Sequence, residues 1–377
     1  MGKSKIKIAI AGLGNVGAAI VMGIEFYKNI KPEDMYVNGL INPSIGGYLP
    51  KDIEVVAAFD VSTTKIYKDI SEAIYAEPNC CAPIVKPENM PKSGHLCYPG
   101  PILDGLYRSA DGRYDTYKFF KAYDEKEVKP VDVAEVLKET GAEILINIVP
   151  VGSYKASRYY AQAALDAGCG FINGIPEFIV SEQLPGDKDW VKEFEKKNLP
   201  CAGDDVKSQV GATLAHRVLV KMFLDRGVIV KDTYQLNIGG NGDFYNMKME
   251  DRLSTKRISK TSAVTSVLPY PVKCRIGPSD YVPFLRDKKV CYIRINGVTY
   301  GNLPLVMDAK LLVEDSPNSA GVMLDIIRVM KLAMDRGIGG RLESISSFSF
   351  KHPHIQPPSD VLAKQWVQEF IEGKRER

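Results

Sequence analysis

The sequence contains few of the residues that are typical of secreted, disulfide-bonded proteins or of proteins with structural metal sites. Its 377 residues include only seven cysteines, four histidines and two tryptophans. The number of cysteines is odd and no pair has CxxC spacing, so we predict reduced thiols in a cytosolic protein rather than a disulfide framework. A metal site formed by Cys80, Cys81, Cys97 and His95 is an alternative, although zinc ligands usually have tighter paired spacing.

Long runs of one kind of residue are also missing. No apolar stretch approaches the ~18–20 residues of a membrane span. "MGKSKIKIAIAG" enters a strand pattern without the apolar core or cleavage site of a signal peptide. The net charge is only +3, from 49 basic and 46 acidic residues. We therefore expect a cytoplasmic protein with no membrane segment and no dedicated nucleic-acid surface.

Strand and helix patterns alternate over the first 210 residues. "KIKIAIA" and "IEVVAAFD" are β-rich apolar runs, and the helical pattern of 131–141 stops at Gly141. Between these elements, 29–52 and 78–115 lack periodicity and are predicted loops. The alternation predicts an α/β fold with a doubly wound parallel sheet. Its predicted strands are 5–11, 53–60, 142–153, 170–176 and 199–205.

The glycine-rich turn after the first strand is the main cofactor signal. "GLGNVG" supplies Gly12, Gly14 and Gly17 as GxGxxG between a strand and a helix. Such glycines let the backbone approach a pyrophosphate at the positive end of a helix. The context predicts a Rossmann-type site for NAD, and a glycine turn without a ligand is the alternative.

Asp60, at the end of "VVAAFD", is the expected partner of the adenosine ribose. It lies 43 residues after Gly17, further than the usual ~20, and the loop at 29–52 accounts for the excess. An acid there repels a 2′-phosphate, so NAD is favoured over NADP. The alternative is that Asp60 caps a helix predicted in "DVSTTKIYKDI".

The pattern changes after residue 228. "TYQLNIGG", "KVCYIRING" and "AKLLVED" alternate like antiparallel strands with one exposed face, and 317–337 returns to a long helix. We predict an NAD-binding Rossmann domain at 1–227, completed by 313–377. The interval 228–312 is then an inserted, mainly antiparallel α+β domain for catalysis and oligomerisation.

Five motifs occur in an order that carries a family resemblance. They are "GDDVKSQVGATLAHRVL", "LNIGGNGDFYNM", "STKRISKTSAVTS", "IGPSDYVPFLRDKKV" and "EDSPNSAG". Together with the glycine motif they resemble the inositol-1-phosphate synthase family, in its shorter prokaryotic branch. The resemblance runs over about 8–353, which is nearly the whole chain.

The resemblance implies a reaction. The family converts D-glucose 6-phosphate to 1L-myo-inositol 1-phosphate: C5 is oxidised, an enolisation and an intramolecular aldol closure join C6 to C1, and C5 is reduced again. Bound NAD is regenerated, so a catalytic NAD and a sugar-phosphate partner are implied. The resemblance also implies a homotetramer built by the inserted sheet.

"KSQVGAT" is the expected site for the substrate phosphate. Lys207, Ser208, Gly211 and Thr213 stand at the start of a predicted helix, which suits an anion. An ordinary helix cap formed by Ser208 or Thr213 is the alternative. The family pattern adds Ala212 and Lys260 to this phosphate site.

Four lysines match the catalytic lysines of the family. Lys351 is the candidate for proton transfer during C5 oxidation, while Lys256 and Lys289 would stabilise the C5 and C1 oxygens and Lys260 would bind phosphate. Crowded cations depress one another's pKa, so one of them can be neutral near pH 7. Asp205 and Asp315 match the acids that hold these lysines. For any single lysine a solvated surface position is the alternative.

The family pattern also assigns residues around the nicotinamide. It points to Asn237, Asn241 and Asp243 in "NIGGNGDF", for which a turn at a strand end is the alternative. In "NGIPEF", Glu177 and Phe178 replace a Gln-Asn pair of longer members, so no contact is carried over there. The remaining positions assigned to the cofactor are Asn15, Val16, Pro150 and Asp204.

Some questions stay open at this point. Family members differ in using a divalent or a monovalent ion, and no HExxH or carboxylate cluster decides between them. His216 is expected to be a structural core group. Rival functions are a Rossmann oxidoreductase acting on a semialdehyde or another substrate, a non-catalytic NAD sensor, and a family member acting on a different sugar phosphate.

Overall fold

The computed structural model describes residues 3–106, 119–247, 261 and 263–377. Two of the predicted catalytic lysines, Lys256 and Lys260, lie outside the described residues. Within the described parts, no helix is long and apolar enough to cross a membrane.

A seven-stranded parallel sheet organises most of the chain. Its spatial order is β11-β6-β5-β4-β1-β2-β3, in which the order reverses between β1 and β4. This is the doubly wound arrangement, and it confirms the predicted fold class. The strands are β1 (Ile6–Ala11), β2 (Ile53–Asp60), β3 (Cys97–Pro99), β4 (Ile144–Asn147), β5 (Gly170–Asn173), β6 (Pro200–Ala202) and β11 (Gly340–Arg341).

Helices cover both faces of this sheet because its strands are apolar on both sides. In β1, Ile8 and Ile10 face one core with helices α1 and α8, whereas Ala9 and Ala11 face a second core with α3, α4 and α5. The helices are α1 (Asn15–Phe26), α2 (Ile70–Ala73), α3 (Val133–Thr140), α4 (Tyr154–Ala167), α5 (Trp190–Lys196), α6 (Ala212–Asp225), α7 (Gly242–Asn246), α8 (Asp315–Asp335), α9 (Glu343–Ser349) and α10 (Asp360–Ile371).

A second sheet of four strands follows α6. Its order is β10-β9-β7-β8, with β9 antiparallel to both β10 and β7 and β8 parallel to β7. Its inner face packs on α6 through a core that includes Val220, Phe223, Ile293 and Ile295. The strands are β7 (Ile229–Gly239), β8 (Lys273–Tyr281), β9 (Lys288–Val298) and β10 (Pro304–Glu314).

Several local predictions were wrong in detail. The interval 78–115 is not all loop, because Cys97–Pro99 form β3 on the sheet edge next to β2. No long helix follows Asp60: residues 63–67 form turns, and the short α2 is capped by Asp69. The predicted helix at 131–141 is confirmed, and Gly141 ends it in the left-handed conformation with φ of +68°.

Candidate active site

The main cavity lies at the carboxyl ends of the parallel strands, where this fold binds ligands. It has a volume of about 300 Å³ and extends from the glycine turn to the start of α8. Predicted residues from both halves of the chain line it together. They are Gly12, Gly14, Asn15, Val16, Gly17, Asp60, Pro150, Asp205, Ser208, Asn241, Asp243, Lys289, Asp315 and Lys351.

The glycine turn leaves room for a ligand between β1 and α1. Gly12 has φ of +91°, and a Cβ there would lie 2.7 Å from the Ile148 carbonyl oxygen. Gly14 is the residue before α1, and a Cβ there would meet no protein atom within 4 Å. The first glycine is therefore required by the fold, whereas the second one faces open space beside the helix N-terminus.

Asp60 has a cationic neighbour that the sequence analysis missed. The Oδ1 atom of Asp60 accepts hydrogen bonds from the backbone amides of Val61 and Ser62, while its Oδ2 lies 3.2 Å from the Lys65 Nζ. The Lys65 ammonium also donates to the Leu13 carbonyl of the glycine turn at 2.9 Å. Lys65 thus joins the glycine turn to the acid expected at the adenosine ribose.

Asn15 holds a cysteine-containing loop over the cavity. Its Oδ1 accepts hydrogen bonds from the backbone amides of Cys80 and Cys81 at 2.7 and 3.1 Å. Burial raises the pKa of the Cys80 thiol to about 11, so the group stays protonated near pH 7. All seven cysteines are free thiols, and no three His, Cys, Asp or Glu side chains of the described residues form a metal-binding group.

Two lysine–aspartate pairs line the cavity. The Lys351 Nζ lies 2.7 Å from Asp205 Oδ1, and the Lys289 Nζ lies 2.9 Å from Asp315 Oδ1. Burial lowers the pKa of Lys289, but the adjacent Asp315 carboxylate more than offsets it, so the net pKa is raised. The expectation that mutual repulsion makes a lysine neutral therefore fails for Lys289.

A small cavity adjoins the lysines at the start of α6. It is lined by Lys207, Ser208, Gly211, Ala212, Thr213, Leu214, Lys289 and Lys351. The residue before α6 is Gly211, and no side chain caps the helix. The alternative of a Ser208 or Thr213 cap is therefore not observed, and the helix N-terminus opens toward three lysines, which suits a phosphate.

Two predicted residues lie away from both cavities. The Asp204 carboxylate is fully buried and accepts hydrogen bonds from the amides of Ile179, Val180 and Ser181. Asn237 is also fully buried, and its Nδ2 donates to the Gly277 carbonyl inside the second sheet. Their assignments to the cofactor and substrate sites are not supported, because their polar atoms are already paired within the protein.

Asp287 is a second group that the sequence analysis missed, although it stands in the quoted "RDKKV". Its Oδ1 accepts hydrogen bonds from Asn241 Nδ2 at 3.0 Å and from Ser316 Oγ at 2.8 Å. Burial raises the pKa of this carboxyl to about 6. Asp287 thus fixes the side chain of Asn241, which lines the main cavity.

His216 behaves as a structural group, as expected. It is fully buried, and its ring nitrogens lie 3.2 Å from Gln235 Oε1 and 2.6 Å from Thr233 Oγ1. Burial lowers its pKa to about 4, which keeps the imidazole neutral near pH 7.

Comparison with known proteins decides the family. The family model described as Myo-inositol-1-phosphate synthase matches residues 211–316. The inositol-3-phosphate synthase of Corynebacterium glutamicum is 44% identical, with 98% of this chain and 99% of that protein covered. That of Mycobacterium tuberculosis strain H37Rv is 43% identical over 98% of this chain and 96% of that protein. The chain belongs to the myo-inositol-1-phosphate synthase family.

Solved structures agree with this membership of the myo-inositol-1-phosphate synthase family. The structure of Ari2 has a TM-score of 0.76 and 30% identity, and covers 98% of this chain and 99% of that chain. The inositol-3-phosphate synthase of Caenorhabditis elegans has a TM-score of 0.73 at 16% identity, with 98% of this chain and 86% of that chain covered. At this low sequence identity, the Caenorhabditis elegans structure shows only that the fold is shared.

Proposed function

We propose that the protein cyclises D-glucose 6-phosphate to 1L-myo-inositol 1-phosphate. The likeness to inositol-3-phosphate synthases at 43–44% identity over almost the full chain is the observation that carries this proposal. The main cavity agrees with it, because it combines a glycine turn with two partly buried lysine–aspartate pairs.

NAD is the proposed cofactor, and the residues around the cavity fit it. Gly14 and the N-terminus of α1 would accept the pyrophosphate, and Asp60 would bind the adenosine ribose. The remaining proposed contacts are Gly12, Asn15, Val16, Gly17 and Pro150. When bound, NAD supplies the oxidation of C5 and the later reduction of the same carbon.

We assign proton transfer to one of the paired lysines and electrostatic stabilisation to the other. Lys351 takes the C5 hydroxyl proton in its neutral amine form, and the Asp205 carboxylate, 2.7 Å from the Nζ, stabilises the ammonium form that results and that returns the proton later. Lys289 keeps its charge because Asp315 raises its pKa, so it serves as a fixed cation for oxygens that become negative at C5 and C1. Lys256 shares this second role.

The phosphate end of the substrate is assigned to the start of α6. Ser208, Gly211, Ala212 and Thr213 line the small cavity, and the free backbone amides of a helix N-terminus favour an anion there. Lys260 is proposed to contribute a further cation. Asn241 and Asp243 line the main cavity and are proposed to orient the sugar beside the nicotinamide.

The inserted sheet is proposed to be both a catalytic and an oligomerisation domain, within boundaries of 228–312. Its outer face exposes apolar side chains on three adjacent strands, which supports a contact with further copies of the chain. They are Leu236, Tyr292, Val306 and Leu312. We propose a homotetramer in a reducing, cytoplasmic compartment, which the seven free thiols support.

A product assay tests the proposed reaction. Purified protein is incubated with glucose 6-phosphate and NAD, and the products are read by ³¹P NMR while absorbance follows NADH. We expect inositol phosphate to form with no accumulation of NADH. Net accumulation of NADH without inositol phosphate would favour an ordinary oxidoreductase instead. A different cyclised product from another sugar phosphate would keep the chemistry and correct the substrate.

A further inference from the structure

Lys207 is a buried cation at the phosphate end of the site. It is 7% exposed, and its Nζ donates to Asp360 Oδ1 at 3.1 Å and to the Ser347 carbonyl at 3.3 Å. An ammonium has three donors, so one N–H remains after these two contacts. The side chain lines the small cavity together with Ser208, Lys289 and Lys351.

The two carboxylate oxygens of Asp360 contact different cations. While Oδ1 faces Lys207, Oδ2 accepts a hydrogen bond from Arg217 Nε at 2.9 Å. Asp360 is the first residue of α10 and lies far from Lys207 and Arg217 in the sequence. The C-terminal helix thereby supplies one carboxylate that pairs with both cations.

Arg217 fixes the position of that carboxylate. It lies on α6, is 2% exposed, and uses the three sides of its planar guanidinium. Nη1 donates to the Ala263 carbonyl and to Ser266 Oγ, and Nη2 donates to the Pro357 carbonyl. Arg217 therefore ties together α6, the turn after residue 263 and the segment that leads into α10.

The electrostatics of Lys207 depend on this arrangement. Burial lowers the pKa of Lys207, and the positive charges of Arg217 and Lys351 lower it further. The Asp360 carboxylate opposes all three effects. A buried lysine in this setting is charged only while a carboxylate is held beside it.

We propose that Arg217 and Asp360 are positioning residues that keep Lys207 charged and directed at the substrate phosphate. This inference rests on the proposed function, because it takes glucose 6-phosphate to be the ligand of the small cavity. The free N–H of Lys207 contacts a phosphate oxygen beside the amides of α6. The phosphate dianion in turn compensates for the excess of positive charge in the cavity.

A simpler explanation is that the three residues only dock the C-terminal helix. The two explanations differ in their dependence on pH. If Asp360 only docks the helix, Asp360→Asn raises the KM for glucose 6-phosphate by the same factor at every pH. If Asp360 keeps Lys207 charged, the increase in KM becomes larger as the pH rises, because Lys207 of the variant then loses its proton.

The decisive experiment measures KM for glucose 6-phosphate in the wild type and Asp360→Asn from about pH 6.5 to about pH 9, a range below the ordinary lysine pKa. The ratio of the two KM values is used, so the titration of the substrate phosphate cancels. The other charged groups near Lys207 are Arg217, Lys289, Lys351 and the Asp205 partner of Lys351, and both proteins contain them. We expect the ratio to rise roughly tenfold across this range, the effect of losing one charged contact.

Further variants separate charge from docking. Lys207→Met is expected to raise KM roughly tenfold at every pH. In the double variant Lys207→Arg with Asp360→Asn, the pH dependence of the KM ratio disappears, because arginine keeps its charge. Arg217→Lys retains the charge but not the three-sided contact, so Asp360 is held less firmly and the ratio of KM to the wild-type value rises with pH, by less than in Asp360→Asn. Lys221→Met, at the half-exposed far end of α6, is the matched control and leaves KM unchanged.

The outcomes are distinguishable. If the wild type makes no inositol phosphate, the proposed function itself is wrong. If the wild type is active and the KM ratio for Asp360→Asn is flat with pH, the inference is overturned. If Asp360→Asn does not fold, Lys207→Met decides, and an unchanged KM in that variant overturns the inference as well. Thermal unfolding and NAD titration of each variant verify that the fold is retained.

Discussion

The Lys351 Nζ lies 2.7 Å from Asp205 Oδ1, although the two residues are far apart in the sequence. Backbone bonds hold the pair in register, since the Lys351 amide donates to the Asp205 carbonyl at 2.7 Å. Asp205 itself has φ of +62°, in the left-handed region, next to the fully buried Asp204. Of the two neighbouring aspartates, Asp205 therefore lines the cavity, whereas Asp204 is buried in the interior.

Lys351→Ala tests the proton-transfer role. We expect turnover to fall by more than about 100-fold, the usual contribution of a general acid–base group, while the fold and NAD binding persist. Turnover is measured from inositol phosphate, and NAD binding by calorimetry. Lys364→Ala, an exposed lysine on α10, serves as the control and should remain fully active. Full activity of Lys351→Ala would exclude this lysine from the chemistry.

Asp315→Asn tests the fixed cation. Asp315 raises the pKa of Lys289 against the effect of burial, so its loss lowers that pKa. Lys289 then loses its proton at a lower pH, and the alkaline limb of the kcat profile moves toward neutrality. We expect kcat to fall roughly 100-fold, as when one oxyanion contact is removed. Asp225→Asn, an exposed carboxylate on α6, is the control; an unmoved alkaline limb would contradict the assignment.

The glycine turn offers a contrast between two neighbouring positions. Gly12→Ala should prevent folding, because its Cβ would lie 2.7 Å from the Ile148 carbonyl oxygen at a φ of +91°. Gly14→Ala meets no protein atom within 4 Å, so its melting temperature should match the wild type. Its NAD affinity should nevertheless fall, since the new methyl group occupies the space left for the pyrophosphate. Unchanged NAD affinity in Gly14→Ala would place the cofactor elsewhere.

Asp60→Asn tests cofactor discrimination. The substitution removes the charge that repels a 2′-phosphate and releases the Lys65 ammonium, now 3.2 Å from the carboxylate. We expect the preference for NAD over NADP to fall by roughly tenfold, the effect of one close like charge. Dissociation constants for both cofactors give the ratio. The matched double variant combines Asp60→Asn with Lys65→Met. Because it lacks the Lys65 ammonium as well, its NADP affinity should increase little over that of the wild type.

Glu177 makes stability depend on pH. Burial raises its pKa from 4.5 to about 7, with Arg158 opposing the shift. The folded state therefore binds more protons than the unfolded state, and stability falls as the pH rises from 4.5 through 7. Glu177→Gln should remove this fall and stabilise the protein above pH 7 by at most about 3 kcal/mol. Urea unfolding at acid and alkaline pH measures it; a pH-independent difference between the proteins would refute the prediction.

Predictions from local pattern succeeded where the pattern itself causes the structure. β1 is apolar on both faces, the glycine turn follows it, and α1 begins directly afterwards. The three-residue β3 was missed because it is a strand only through its pairing with β2. β8 was missed for the same reason, since it pairs in parallel with β7 across an intervening segment.

Predictions of the site followed the same division. Motifs named Lys289, Lys351, Asp205 and Asp315, and these residues meet in two pairs at one cavity. The motifs could not tell Asp204 from Asp205, or Asn237 from Asn241, because which side chain is buried depends on the packing around it. Lys65 and Asp360 belong to no motif, and Arg217 stands in the first of the five motifs without a role that the motif assigns; only the partners of these three residues reveal what they do.

The family motifs, the parallel sheet and the cofactor turn can each be recognised in short stretches of the sequence, since hydrophobic period and glycine spacing act locally. The charge of each lysine cannot be recognised in this way, because it depends on residues that are distant in the sequence. Lys289 and Lys207 have the same side chain and line the same small cavity, yet one pKa is raised and the other is lowered. The difference arises because the Asp315 carboxylate offsets the effect of burial on Lys289, whereas Asp360 is shared with Arg217, whose charge adds to the effect of burial on Lys207. Folding alone brings these carboxylates to their partners.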